Sequence, residues 1–427
     1  MIADPAAKAT WPQTNWAGNL TYSADQFLRP GAVAEVQEAV SVNDRVRVVG
    51  SRHCFNDIAD TVGTLLSLER LNRVVSLNPE KNQVTVEGGI RYGEIGPYLH
   101  DWGYALHNTA SLPHISIAGA CATATHGSGA LGNLAVAVAG VELVDGRGQV
   151  ITLSREANGD TFSGVAVSLG ALGVITKLTL DLRPAFHVRQ DVFCGLPISA
   201  LETHFDEIMA SGYSVSVFTD WRTDVIEQVW VKRAVDRDDA SPAGVSLFGA
   251  RPATVKMHPI ASQDPINCTE QLGLAGPSYD RLPHFRMGFT PASGEELQVE
   301  YFVPREYAAA AIRTLRRNAD QLSALLLIGE IRTVAADDLW MSPCYRTPCA
   351  AFHFSFKQDW LALRTILPKI EEALAPFQPR PHWGKMFTMS PHRVKACYPR
   401  LDDFRSLQTE HDPHRKFVNA FVERYIF

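Results

Sequence analysis

The chain has no excess of basic residues: 40 Lys and Arg stand against 46 Asp and Glu, a formal net charge of −6 over 427 residues. That balance excludes a basic footprint for nucleic acid or anionic lipid. No apolar run approaches the roughly 18 residues that a membrane span needs. The stretch MIADPAAKATWPQTNW lacks both a basic n-region and an apolar h-region, so a secretory leader is not expected. None of the seven cysteines (54, 121, 194, 268, 344, 349 and 397) forms a C-x-x-C pair. PCYRTPC holds two of them, but no His or Cys pair lies near enough to complete a zinc site, and no metal is expected. Odd in number and scattered, the thiols point to a reducing cytoplasm, where the sequons at Asn19 and Asn267 carry no meaning. Repeats and low-complexity linkers are absent as well.

What remains is an ordinary globular composition, 46% hydrophobic and 20% charged, on a chain long enough for two or three domains. The N-terminal third reads as short β segments broken by turn residues: RVRVVG (45–50), QVTVEGG (83–89), VELVDGRGQVITL (141–153) and GVITKLTLDLRP (173–184). Helical spacing occurs in GAVAEVQEAVSVN (31–43) and RYGEIGPYLHDWG (91–103). Near Pro184–Phe186 the texture changes. LETHFDEIMASG (201–212) reads as a helix, YSVSVFTDW (213–221) and QVWVKRAV (228–235) as strands, and 236–262 as a loop. Three further strands, EELQVEYFVP (295–304), LLLIGEIRTV (325–334) and AAFHFSFKQD (350–359), alternate with helices at 306–326 and 360–377. Strands joined by returning helices predict an antiparallel sheet with helices on its back, an α+β fold.

Four places could carry chemistry. In VVGSRHCFND, His53 could be a metal ligand, a general base, half of a Cys/His pair or a polar residue at a strand end. In the three late strands, side chains alternate faces with period two, so Gln298, Glu300, Glu330, Arg332, His353 and Ser355 fall on polar faces. A solvent face is one reading. The mix of acids, a cation and an imidazole suits instead the floor of a pocket that binds hydroxyls. The segment 108–133 holds G-x-G-x-x-G at Gly127, Gly129 and Gly132. It lacks the preceding buried strand and the following long helix of a dinucleotide fingerprint. Its small residues could still let a flat cofactor lie against the main chain, with bare amides around a pyrophosphate. Last, RPHWGKMFT places Lys385 after Trp383 and Gly384, and HDPHRKFVNAF follows near the end of the chain.

Taken in order, GSRHCFND, SLPHISIAGACATATHGSG, SLGALGVITKLTL, GEIRTVAADDLWMSP, PHWGKMF and DPHRKFVNAF resemble the vanillyl-alcohol oxidase superfamily of flavoproteins. Within it they resemble the sugar-alcohol and aldonolactone oxidases, and most closely the bacterial alditol (xylitol) oxidases. The resemblance runs from TNWAGN (14–19) to NAF (419–421). It implies an FAD-binding domain in two parts, 1–185 and the returning segment 378–427, around an inserted substrate domain at 186–377.

The resemblance also implies that His53 is bonded to the 8α-methyl carbon of FAD, which requires a neutral imidazole nitrogen. Gly50, Ser51, Arg52 and Cys54 would form the surrounding loop. Ala110, Ser111, Gly119, Thr123, Thr125, His126, Gly127, Gly173, Ile175 and Asn419 would complete the cofactor contacts. Relatives usually carry glycine at the place of Arg52, so a positive φ there would strain this chain. The second, cysteinyl link of some relatives would fall near Ser111, so one covalent bond is expected. His353 and Arg332 would act at the alcohol oxygen, with Lys385 supporting that oxygen or the reduced flavin. Glu330, Gln298, Ser111 and Ser355 would hold neighbouring hydroxyls, and the small Ala110 would leave room for oxygen. The implied reaction takes the terminal primary alcohol of xylitol or sorbitol to the aldose, with O2 reduced to H2O2. The implied partners are a small polyol and O2, and a monomer is expected. The runner-up is an aldonolactone oxidase or dehydrogenase on the same fold. A flavoprotein that binds carbohydrate without turnover is the reading from another class.

Overall fold

The computed structural model describes residues 13–130, 132–236, 246–288, 296–322 and 324–427. Positions 237–245 of the expected loop at 236–262 lie outside the described residues.

Two sheets, with a two-stranded pairing of Tyr104–Ala105 and Arg183–Pro184, form the N-terminal part. The first places Thr64–Ser67 between Gln26–Leu28 and Val46–Val49, all parallel. Helix Val33–Val42 joins the two outer strands and buries Val36, Ala39 and Val40, one helical face, against Val46 and Leu66. The second sheet is antiparallel, in the order Val74–Asn78, Gln83–Glu87, Val174–Asp181, Val138–Val144, Val150–Ser154. The end of the chain returns to this part. Phe417 joins the cluster of Val36, Val40 and Val46, and the Lys416 ammonium donates to Val40 O at 2.6 Å. Arg47, buried at the heart of this junction, donates to the carbonyls of Gly170 (2.8 Å), Phe417 (2.9 Å) and Leu169 (2.9 Å), and to that of Ile58.

A nine-stranded sheet fills the middle of the chain, with Leu326–Val334, Cys349–Lys357 and Glu296–Pro304 as consecutive neighbours. The pairing is antiparallel and brings Glu330, His353 and Glu300 into one row, with Ser355 and Gln298 in the row beside it. Directly paired residues point to the same face, so the expected polar face is continuous across three strands. On the opposite face Val299, Tyr301, Ile331, Phe352, Phe354 and Phe356 are fully buried. Helix Ala308–Arg317 supplies Ala308, Ala311, Ile312 and Leu315 to the same core, and Trp360–Leu374 packs beside it. The α+β reading, with helices behind an antiparallel sheet, describes this layer.

Two segments read as single helices are each broken. The segment 201–212 becomes Ile198–Thr203 and Phe205–Met209, bent at His204 (φ −120°, ψ 33°). The segment 306–326 splits at Asn318, whose amide donates back to Thr314 O at 2.8 Å. Asparagine favours such local backbone bonds over helix propagation. Gln26–Leu28 and Thr64–Ser67 escaped the sequence reading because each is too short to show a period.

Candidate active site

A cavity of about 690 Å³ separates the N-terminal part from the polar face of the large sheet. Gly50, Ser51, Arg52, His53, Cys54, Ala110, Ser111, Gly119, Thr123, Thr125, His126, Gly173 and Ile175 line it from one side. Gln298, Glu330, Arg332, His353, Ser355 and Lys385 line it from the other.

The loop after strand Val46–Val49 presents His53 between two rings, with centroids 4.5 Å from Trp16 and 5.7 Å from Phe55. Burial pushes its pKa down to about 3, and Lys385, His114 and His353 add to the effect. The imidazole is therefore neutral. Burial pushes the neighbouring Cys54 thiol up to about 11, so the two do not form a thiolate–imidazolium pair. Among the described residues, no three His, Cys, Asp or Glu side chains gather as a metal site. Of the four readings of His53, a neutral base and a polar residue packed at the strand end remain.

Arg52 adopts φ 61°, the left-handed conformation that glycine takes without cost. Its guanidinium donates to Thr14 O at 2.9 Å and its carbonyl accepts from Trp16 N at 2.7 Å, which fixes the strained turn. Arg52→Gly and Arg52→Ala lose the same guanidinium contact but differ in backbone strain. The glycine variant is expected to be more stable than the alanine variant by about 1 kcal/mol, the scale of the left-handed penalty. Thermal denaturation of the two proteins side by side checks this.

No acceptor within the described residues receives the amides of Ser51, Arg52, His53 or Cys54, and all four residues border the cavity. Free amides beside small side chains are the donor set that a pyrophosphate requires. Across the cavity Arg332 Nε and His353 Nδ1 are buried without a hydrogen bond, although each has a carboxylate oxygen within 4 Å. A flat, two-phosphate cofactor against the loop, with a hydroxylic substrate under the sheet, suits both sets.

Two expected cofactor residues do not reach the cavity. Gly127 packs on the Asn108 side chain, where a Cβ would collide. Asn419 caps helix Ala420–Tyr425 and donates to the carbonyls of Asp57, Ile58 and Asp60 at 2.8–3.1 Å. It braces the chain just beyond the His53 loop and does not contact the cavity. His126 does line the cavity, but its Nε2 lies 3.0 Å from Glu300 Oε1 and its Nδ1 2.8 Å from Gly127 O.

On the sheet, Glu330 and Arg332 sit side by side, with Arg332 Nε 3.2 Å from Glu330 Oε1. Arg332 Nη1 donates to Ser111 Oγ at 3.2 Å, so the cation bridges the two walls. Burial would raise the Glu330 carboxyl, but Arg332, His284 and His353 outweigh it and hold the group well below the usual range. Glu300, equally buried, is held low chiefly by His126, and its Oε2 lies 3.8 Å from His353 Nδ1. His353 Nε2 is 3.2 Å from Ser355 Oγ. The Lys385 ammonium donates to Gln298 Oε1 and stands 5.1 Å from the centre of the Phe55 ring. Burial lowers its pKa, only partly offset by Glu300 and Glu296.

The site thus gathers two carboxylates, two cations and a central imidazole. The sequence reading placed Glu300 on the face without assigning it to the site. It missed His382, buried and pushed down to about 3, and the pair His284–Lys232 behind Glu330. The lone lysine in QVWVKRAV was the available signal for the last of these.

Comparison with known proteins gives matches over both parts of the chain. Residues 24–154 match the family model described as an FAD binding domain, and residues 293–425 the model described as D-arabinono-1,4-lactone oxidase. The chain is 46% identical over 414 residues to an alditol oxidase of a Streptomyces species, covering 96% of this chain and 97% of that protein. It is 28% identical to an L-gulono-1,4-lactone dehydrogenase of Mycobacterium tuberculosis, over 97% and 98% of the two chains. A solved solvent-stable cholesterol oxidase superposes with a TM-score of 0.78 at 14% identity, covering 97% of each chain.

Proposed function

The chain belongs to the alditol oxidase family of FAD-dependent oxidoreductases, and we propose on that premise that it oxidises the terminal CH2OH of a linear alditol such as xylitol or sorbitol to the aldose, with O2 reduced to H2O2. Its fold is the α+β fold of the vanillyl-alcohol oxidase type. The observation that carries the substrate assignment is the single polar row Glu330–His353–Glu300, flanked by Arg332 and Lys385, facing the His53 loop across one cavity. The proposed division of labour follows the two walls, with 1–185 and 378–427 holding FAD and 186–377 holding substrate.

Bound FAD supplies the acceptor for the substrate hydride and the route of its electrons to O2. The rest is work for side chains. The substrate hydroxyl enters between Arg332 and Lys385, whose charges favour the developing alkoxide. His353 takes its proton, and Glu300, 3.8 Å from Nδ1, stabilises the resulting imidazolium. Glu330 and Gln298, with Ser111 and Ser355, receive the second and third hydroxyls. Ala110 keeps the cofactor side of the cavity open to oxygen. A cytoplasmic, monomeric protein completes the proposal, in keeping with seven free thiols.

Turnover with xylitol against L-gulono-1,4-lactone, followed by peroxide release, tests the assignment. A higher kcat/KM on the lactone would move the chain to the second reading, which the lactone-oxidase model over 293–425 favours.

We further propose that His53 carries FAD covalently. A neutral imidazole is the form whose ring nitrogen would hold FAD through its 8α carbon, and the low pKa supports that form throughout the physiological range. Acid-precipitated protein is expected to stay yellow, and His53→Ala to release its flavin into the supernatant. A colourless wild-type pellet over free FAD would falsify the bond.

A further inference from the structure

Behind the polar row lies a charged group that the proposed reaction does not use. Lys232 stands on strand Val225–Val235 and is 1% exposed. Its ammonium donates to Leu282 O at 2.5 Å and Pro283 O at 2.9 Å, and meets His284 Nδ1 at 3.2 Å. The other ring nitrogen, His284 Nε2, lies 2.9 Å from Glu330 Oε1, with Ser216 Oγ more distant at 3.5 Å. The same residue's amide donates to Ser111 O at 2.9 Å. His284 is itself buried at 5% exposure.

Donor counting fixes the direction of this chain. An ammonium has three donors and no acceptor. Two of its protons go to carbonyls, and the third has His284 Nδ1 as its partner. While Lys232 is charged, Nδ1 must accept, which places the imidazole proton on Nε2, where it points at the carboxylate. The alternative tautomer would set a proton against the ammonium and a lone pair against Glu330. Glu330 Oε1 is thereby held by His284, which itself borders the cavity, and Arg332 approaches that same oxygen. Oε2 accepts no hydrogen bond among the described residues, and Glu330 borders the cavity.

We propose that Lys232 and His284 are positioning residues that lock one oxygen of Glu330 through a fixed His284 tautomer, leaving the other to accept a substrate hydroxyl, and so set the preference for polyols over simple alcohols. This rests on the reading of Glu330 as a hydroxyl acceptor. Burial lowers the Lys232 pKa to about 7, with Glu330 opposing it, so the lock is complete below that pH and is lost as the ammonium deprotonates above it. The amide bond to Ser111 places a second hydroxyl-bearing residue on the same anchor.

The test uses the holoenzyme, with xylitol and 1-butanol as probes. Lys232→Met leaves the His284 tautomer unfixed, and His284→Phe removes the donor. Each is expected to raise the KM for xylitol about tenfold, the scale of one lost bond to a charged group. The rate of flavin reduction at saturating xylitol should change much less, and the kinetics with 1-butanol should stay near wild type. His284→Gln can accept from Lys232 and donate to Glu330 with one amide, so it should recover most of the xylitol KM. Nitrogen-15 NMR of wild-type protein should show His284 protonated on Nε2, with that signature lost in Lys232→Met. An Nδ1–H tautomer in wild type, or an unchanged xylitol/1-butanol ratio in both Lys232→Met and His284→Phe, overturns the proposal. Glu330→Gln separates the two levels. If it lowers the ratio while Lys232→Met and His284→Phe leave it intact, the lock fails and the role of Glu330 stands. If it does not, the underlying reading fails.

Discussion

His353→Ala should reduce its flavin with xylitol about 10²- to 10⁴-fold more slowly than wild type, the range for a positioned general base. His353 occupies the middle of the row, flanked in register by Glu300 and Glu330. Its Nδ1 is buried without a hydrogen bond, 3.8 Å from Glu300 Oε2. Alanine leaves the cations in place but nothing to receive the hydroxyl proton. Arg332→Ala should cost a comparable factor, about 10²- to 10³-fold, because it removes charge where alkoxide character develops. Lysine at that position should not restore the rate. Arg332 spends one nitrogen on Ser111 Oγ and another beside Glu330, a fork that a single ammonium cannot reproduce. Anaerobic stopped-flow reduction, normalised to bound flavin, measures these effects. Wild-type reduction by the His353→Ala protein would remove the imidazole from the reaction.

Lys385 adds a signature in pH. Its folded pKa is lowered by burial, so the cation is lost at lower pH than from a free lysine at about 10.4. The reduction rate should therefore fall on the alkaline side earlier than an exposed lysine would allow. Glu330 and Glu300 are held well below the usual carboxylate range and stay ionised through that window, so they add no limb of their own. Lys385→Arg keeps the charge at all these pH values and should flatten the alkaline fall, whatever its effect on the maximum.

The polar face was legible because a strand's period is short and local: three segments of ten residues each announced which side chains share a side. The row Glu330–His353–Glu300 needed the register as well, which no segment carries by itself. His284 and Lys232 were hidden for the same reason. One lies in the turn LPHF, the other on a strand 52 residues earlier, and only the fold brings them to 3.2 Å. Arg52 was readable as a strained position because the resemblance marked a glycine there, and its φ of 61° bears this out. Gly127 and Asn419 are not among the residues that line the cavity. Both sit in blocks that border the cofactor side, yet one packs on Asn108 and the other caps a helix. A motif identifies a loop; which of its atoms face the cavity depends on turns that small residues take in several ways.

The largest expected contrast is between substrates. Catalytic efficiency should rise from 1-propanol through 1,2-propanediol and glycerol to xylitol or sorbitol, with peroxide formed throughout. The site presents Glu330 and Gln298 beside the cationic pair, with Ser111 and Ser355 at its edge, all bordering one cavity. One alcohol oxygen cannot satisfy them all. Each buried polar group left unpaired costs about 1–3 kcal/mol. Two or three of them would place an aliphatic alcohol about 10³-fold or more below a polyol, far beyond what its size explains. An acyclic chain can turn its second and third hydroxyls towards Glu330 and Gln298 independently, whereas a ring-locked sugar cannot. Glu330→Gln should compress the series by penalising the polyols most, since an amide offers one acceptor where the carboxylate offers two and carries no charge. The 1-propanol value should move little, because it never engaged the distal acceptors. The measurement is kcat/KM across the series for both proteins. Equal efficiency on 1-butanol and xylitol in the wild type would sink the hydroxyl-counting pocket, and a uniform drop across the series in Glu330→Gln would place that carboxylate at the reacting oxygen instead of beyond it.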